Sequence, residues 1–162
     1  YQLMKGYFDE SHFVSCTPKG ILSILDFYKI PTSKKKVVII GRSMIVGRPL
    51  SMLLTSKDAT VSLCHSQTPN LEDYTKTADI IISATGQRGL IQAKHIGENK
   101  PVIIDVGINR NTDGKICGDV IFDEVQAKCS AITPVPGGVG PMTILSLAQN
   151  LIVASKRKIG KK

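Results

Sequence analysis

The chain contains no tryptophan, and aromatic residues make up only 5% of its 162 positions. That scarcity weakens any reading as a nucleic-acid binder that stacks bases on aromatic rings. No apolar run approaches the roughly 18 residues that a membrane span requires. The four cysteines, Cys16, Cys64, Cys117 and Cys129, stand far apart, with no C-x-x-C pair and no histidine at finger spacing. Neither a metal site nor a disulfide framework is therefore expected. Cys64 beside His65 reads as a strand end. Four reduced thiols, and no visible signal or transit segment, fit a cytoplasmic protein, with the mitochondrion as the other compartment left open. What remains is ordinary: 42% hydrophobic and 21% charged residues, which excludes disordered and collagenous chains. A mass of 17.5 kDa is one domain's worth, enough to bury roughly 70% of the unfolded surface without staples.

Acidic residues are also few. Thirteen Asp and Glu face 21 Lys and Arg, a formal charge of +8. Such a balance ordinarily points to nucleic acid, an acidic membrane surface or an anionic small ligand. The excess is local, however. Lys156, Arg157, Lys158, Lys161 and Lys162 lie in the last eight residues, where there is no acid. Without those five the chain has 16 bases against 13 acids, and Lys34, Lys35 and Lys36 account for the difference. The folded body is nearly neutral, so a broad basic face for nucleic acid or membrane is not expected.

From Val37 onward short apolar runs alternate with amphipathic segments. VVII, ATVSLCH, ADIIISATG, PVIIDVGIN and SAITPVP read as five strands, with KICGDVIF as a short strand or extended piece. PLSMLLTSK, LEDYTKTA, QAKHIGE and DEVQAK read as helical pieces, and PMTILSLAQNLIVASKRK as a long C-terminal helix. Continuous apolar strands separated by helices are the mark of a parallel sheet covered on both faces. The fold class expected is therefore α/β, a single Rossmann-like, doubly wound parallel sheet. Ahead of it TPKGILSILDFY reads as an amphipathic helix, with Thr17 as N-cap and Pro18 as the first helical residue. The organisation expected is an interdomain segment and linking helix over 1–30, the Rossmann domain over 31–155, and a basic tail over 156–162. The loop-like opening YQLMKGYFDESHF, starting at Tyr1, is what the interior of a longer protein would show.

GRSMIVGRP follows the first strand and opens a helix, the setting in which backbone N–H groups bind a phosphate. It is not the standard G-x-G-x-x-G: Gly41 is in place, Ser43 stands at the second glycine, and Gly47 follows six residues after Gly41. A purely structural turn would need the glycine but not the adjacent Arg42 and Ser43. An NAD site usually carries a carboxylate at the end of the second strand. Here that strand ends in Cys64, His65 and Ser66. Arg42 can give a bidentate pair to a 2′-phosphate and Ser66 a hydroxyl bond, which favours NADP over NAD. Gly86 and Gly107, in ATGQ and DVGIN, would let backbone approach a cofactor at the carboxyl edge, or else are ordinary turn glycines. TPVPGGVGPMT packs three glycines and three prolines into eleven residues and runs into a helix start, which suits a fixed loop lining a site.

A general acid or base is harder to find. Only His65 and Asp105 lie in carboxyl-edge loops. His65 reads as a solvated strand-end imidazole and Asp105 as a strand-end hydrogen-bond acceptor. Tyr1 and Lys5 have i, i+4 spacing, but Gly6 follows and no helix signal supports the pair. No catalytic residue is expected within the chain.

CTPKG, GRSMIVGRP, DVGIN and TPVPGGVGPMT, in this order and spacing, resemble the C-terminal cofactor domain of the methylenetetrahydrofolate dehydrogenase/cyclohydrolase family, from about Phe13 to the C-terminal helix. The resemblance implies an NADP-dependent oxidation of 5,10-methylenetetrahydrofolate, followed by hydrolysis of the methenyl product to 10-formyltetrahydrofolate. It also implies two α/β domains flanking a cleft, and a homodimer joined through the cofactor domains. Gly41, Arg42, Ser43, Ser66 and Ile108 match the family's NADP-contacting positions, with Thr85 and Gly86 at the nicotinamide side. Pro136, Gly137, Gly138, Val139, Gly140, Pro141, Met142, Thr143 and Ile144 match the loop between cofactor and folate. Ser15 departs from the family's usual proline before CTP, which alters a hinge segment only. The family's catalytic lysine and its partner tyrosine belong to an N-terminal folate domain that nothing here matches. The chain by itself is thus expected to bind cofactor and to be nearly inactive, with the apolar faces of its first and last helices lacking a partner. The alternative is a shortened, non-catalytic NADP-binding or regulatory subunit that pairs with a separate folate-domain chain.

Overall fold

A computed structural model describes residues 13–159. The Tyr1–Lys5 spacing lies outside the described residues. Five strands form one parallel sheet: β1 (Lys36–Ile40), β2 (Thr60–Cys64), β3 (Ile80–Ser83), β4 (Val102–Asp105) and, numbered past a small hairpin, β7 (Ala131–Ile132). Their order is β2-β1-β3-β4-β7. The hairpin pairs β5 (Asn109–Arg110) with β6 (Ile116–Cys117) antiparallel. The helices are α1 (Cys16–Phe27), α2 (Gly47–Thr55), α3 (Leu71–Thr75), α4 (Phe122–Val125) and α5 (Val139–Ile159).

The apolar runs are continuous because both sheet faces are buried, as the alternation of side chains along a strand requires. Val37, Ile39, Ile80, Ile82 and Ile104 pack on one face with Ile21, Ile24 and Leu25 of α1, Leu50 and Leu54 of α2, and Val139 of α5. Val38, Ile40, Ile81 and Ile103 fill the other face with Ile91, Ile96, Val120 and Val125. The doubly wound sheet expected from the sequence is what the structure shows.

Several local expectations are corrected. Ser15, not Thr17, precedes the first turn of α1, so Pro18 stands third in that helix. Ser15 makes no cap: its hydroxyl donates to the Ile45 carbonyl at 2.6 Å. PVIIDVGIN is not one strand but breaks after Asp105, whose side chain captures the Gly107 N–H at 3.0 Å. QAKHIGE contributes only a 3-10 turn over Ala93–His95. α5 begins two residues before Pro141 and runs to Ile159, one residue past Lys158, where the C-terminal helix was expected to end. The Arg157 guanidinium lies 4.7 Å from the Phe13 ring centroid.

The apolar face of α1 does find partners. Ile21, Ile24 and Leu25 are buried, and Lys19 Nζ donates to Asn150 Oδ1 of α5 at 3.2 Å. α5 is different: Ile144, Leu145, Leu147, Leu151 and Ile152 are between 48% and 71% exposed. The expectation of an uncovered apolar face is thus met by α5 and not by α1.

His95 supplies a stability test. It is buried, its Nδ1 accepts the Gln92 N–H at 3.1 Å, and burial, with the Lys94 charge second, holds its imidazole below the usual value of 6.5. The unfolded chain therefore binds the proton first as pH falls. Unfolding free energy from urea titrations should decline as pH drops below about 6.5. His95→Gln should flatten that part of the profile; an unchanged profile would assign it to another group.

Candidate functional site

The sheet changes direction between β1 and β3. From β1 the chain winds outward to β2, then crosses back to β3 on the other side. In open α/β sheets ligands bind beyond the carboxyl ends of the strands at such a point. Here that edge carries Gly41, Ser66, Thr85, Ile108 and the loop after β7.

The loop from Gly41 to Val46 is pinned at the switch point. Gly41 has φ of +114°, and a Cβ there would run into the Ala84 carbonyl beyond β3. A Cβ on Gly47 would run into the Gly41 carbonyl oxygen, so the start of α2 lies directly against the end of β1. The Ser43 hydroxyl accepts the Val46 N–H at 3.1 Å, and its carbonyl accepts the Arg48 N–H at 3.1 Å. The Ser43 O–H remains able to donate. Among the described residues, the backbone N–H groups of Arg42, Ser43, Met44 and Ile45 make no hydrogen bond. Exposed and held in place ahead of a helix, they are suited to an anion.

Ile40 pairs with Cys64, so Arg42 and Ser66 each lie two residues beyond adjacent strand ends. Both are exposed. His65 is half-buried at the end of β2: its Nδ1 accepts the Gln67 N–H at 3.2 Å, and its backbone N–H donates to the Thr68 hydroxyl at 2.9 Å. Its ring thus serves the local turn, at the strand end where it was expected. No carboxylate stands among residues 64–68.

At the ends of β3 and β4 two buried aspartates organise the edge. Asp105 Oδ1 accepts the Gly107 and Asp119 N–H groups at 3.0 Å each, and its Oδ2 accepts the Val120 N–H at 3.0 Å. Burial, ahead of these bonds, pushes its carboxyl above the ordinary value. A group so engaged is a strand-end acceptor, as its position in DVGIN suggests. Asp119 is fully buried. Its Oδ2 accepts from Ser83 Oγ at 2.9 Å and from the Thr85 N–H and Oγ1 at 2.8 Å each, while its Oδ1 accepts from Asn109 Nδ2 at 3.0 Å. Sequence reasoning missed Asp119, which in KICGDVIF looks like the polar end of a turn. The one signal was the glycine before it: a Cβ on Gly118 would run into Asp105. Gly107, too, is required by packing, since its Cβ would run into Asp119 Oδ1. Gly86 has φ of +66° and open space beside it.

The candidate substrate loop divides in two. Pro136, Gly137 and Gly138 form a turn after β7, and Val139 through Ile144 are the first turns of α5. Pro136, Gly137, Gly140, Pro141 and Ile144 are exposed. Val139 is buried in the core, Met142 packs on Gly20 of α1, and the Thr143 hydroxyl meets the Val139 carbonyl at 3.2 Å.

A family model described as tetrahydrofolate dehydrogenase/cyclohydrolase, NAD(P)-binding domain, matches residues 15–159. The bifunctional protein FolD of Thermodesulfovibrio yellowstonii is 54% identical over 148 residues, covering 91% of this chain and 51% of that protein. The crystal structure of the FolD methylenetetrahydrofolate dehydrogenase/cyclohydrolase from Campylobacter jejuni superposes with a TM-score of 0.91 at 48% identity, over 96% of this chain and 55% of the other. The Trypanosoma brucei enzyme, complexed with NADP and an inhibitor, gives a TM-score of 0.86 at 35% identity, over 98% and 55%. The chain spans about half the length of the relatives it matches.

Proposed function

Because the chain belongs to the tetrahydrofolate dehydrogenase/cyclohydrolase family, as its NAD(P)-binding domain, we propose that it is the cofactor-holding part of an NADP-dependent 5,10-methylenetetrahydrofolate dehydrogenase and 5,10-methenyltetrahydrofolate cyclohydrolase. One observation carries the preference for NADP: exposed Arg42 and Ser66 stand at adjacent strand ends where no carboxylate is present. A carboxylate there would repel a 2′-phosphate, whereas a guanidinium grips it with two parallel bonds. The N–H groups of residues 42–45, unpaired among the described residues, fit the pyrophosphate. Thr85, Gly86 and Ile108 border the place for the nicotinamide. Bound NADP supplies the hydride acceptor; this chain's residues bind it, orient it and exclude water from one side.

Pro136 through Ile144 lie on the same edge and are assigned to the boundary between cofactor and a tetrahydrofolate substrate. The exposed residues Pro136, Gly137, Gly140, Pro141 and Ile144 are the ones free to touch it. No general acid or base stands among them, which fits chemistry completed by a folate-binding domain. A homodimer through the cofactor domains is part of the same reading, and β2, an edge strand, leaves one ladder open for it. So is a cytoplasmic setting; among the described residues no helix is long and apolar enough to cross a membrane.

The test is calorimetric titration of the chain with NADP and with NAD, beside a turnover assay with 5,10-methylenetetrahydrofolate. Saturable NADP binding, NAD at least about tenfold weaker and negligible turnover are expected. Equal affinities would remove the 2′-phosphate assignment, and turnover by the chain alone would place catalytic groups within it.

A further inference from the structure

We propose that Asp119 is a positioning residue: its carboxylate clamps the loops after β3 and β4 into the arrangement that receives the nicotinamide end of the cofactor. The inference rests on the reading that this edge holds NADP. Asp119 is 0% exposed, and among the described residues its bonds come from neutral donors only. A buried carboxylate without a cation is costly unless every lone pair is used. Here the carboxylate accepts four bonds, three on Oδ2 from the β3 end and one on Oδ1 from β5.

The loops it joins have little else to hold them. Residues 85–88 are largely exposed, and Gly86 has no atom within 4 Å of where a Cβ would stand. Ile108 is 74% exposed. Apolar packing therefore does not set either loop. Thr85 is fixed through its N–H and its hydroxyl, and that same hydroxyl accepts the Gln87 N–H at 3.2 Å, which sets the turn containing Gly86. Ile108 is held from both sides, by the Gly107 N–H on Asp105 and by Asn109 on Asp119. Asp119 is itself anchored, its N–H on Asp105 and its carbonyl accepting the Ile91 N–H at 3.2 Å. The clamp thus ties two otherwise loose loops to the rigid sheet at the ends of β3 and β4, whereas Arg42 follows β1 and Ser66 follows β2 beyond it.

That separation gives the test. Wild type, Asp119→Ala, Asp119→Asn and Asn109→Ala are titrated with NADP and with adenosine 2′,5′-bisphosphate, the part of the cofactor that Arg42 and Ser66 would hold. Asp119→Ala should weaken NADP about tenfold and leave the bisphosphate within about twofold of wild type. Asp119→Asn keeps an acceptor for the Thr85 N–H, and the Asn109 amide can turn over to meet it. It should recover NADP affinity to within about threefold. If Asp119→Ala does not fold, Asn109→Ala cuts the same clamp at a half-buried position and should show a smaller loss confined to NADP. Equal loss of both ligands, no loss of either, or no recovery in Asp119→Asn overturns the proposal. A wild-type chain that binds the bisphosphate and NADP equally overturns it as well. A wild type that binds neither removes the cofactor reading itself, and the clamp with it.

Discussion

Arg42→Ala is expected to weaken NADP binding roughly 30- to 100-fold while changing NAD affinity less than about threefold. Charge-assisted bonds are worth about 1.5–3 kcal/mol, and each 1.4 kcal/mol is tenfold in affinity. Arg42 stands on a loop whose backbone is fixed at Gly41 by contact with Ala84, so the side chain starts from a defined point. It is exposed, so removing it exposes no core and leaves folding unchanged. Arg42→Lys should fall between, because an ammonium supplies charge but not the paired geometry. Ser66→Ala should cost about three- to tenfold, as loss of one hydroxyl bond. The Arg42 effect should shrink as salt rises, since exposed charges are screened. The measurement is calorimetric titration of each variant with both nucleotides at two salt concentrations. If Arg42→Ala loses NADP and NAD in equal measure, the guanidinium acts on the pyrophosphate instead.

The sheet was legible because its physics is repeated in every strand. VVII and the three isoleucines 80–82 are apolar at consecutive positions only because α1, α2 and α5 cover one face while the segments around Ile91, Val120 and Val125 cover the other. The tight turn from β1 into α2 was legible from glycine placement beside a strand end, since Gly41 and Gly47 both stand where a Cβ would strike backbone. Three of the errors share a cause, which is side chains spent on distant partners. Ser15 gives its hydroxyl to Ile45 rather than to its own helix. Asp105 ends β4 early by taking N–H groups from residues 107, 119 and 120. Asp119 has no local signature because its partners, Ser83 and Thr85, are more than 30 positions away. The start of α5 was misplaced for a different reason. GGVGP looks like loop, yet Pro141 is third in the helix, where its missing N–H has no intrahelical partner to lose.

Gly47→Ala is the sharper trial of how the cofactor loop is built, because two physical effects pull in opposite directions. Gly47 is the first residue of α2 and its φ is not positive. By propensity alone, alanine in a helix should stabilise the fold by up to about 1 kcal/mol. The structure places the new Cβ against the Gly41 carbonyl oxygen and 3.2 Å from Arg42 Cα, both backbone atoms. Backbone cannot swing aside as a flexible side chain does, and overpacking of this kind costs about 1–3 kcal/mol. The net expectation is destabilisation by about 2 kcal/mol, with NADP affinity falling at least as far as in Arg42→Ala, because the whole loop from Gly41 to Ile45 must shift. Gly140→Ala is the matched control. It also stands in the first turn of a helix, with nothing within 4 Å of its Cβ, and should be neutral or stabilising by up to about 1 kcal/mol. The urea unfolding midpoint of Gly47→Ala should fall while that of Gly140→Ala holds or rises. Parallel shifts would mean that α2 can slide away from β1, and that the loop's shape is not what Gly47 protects.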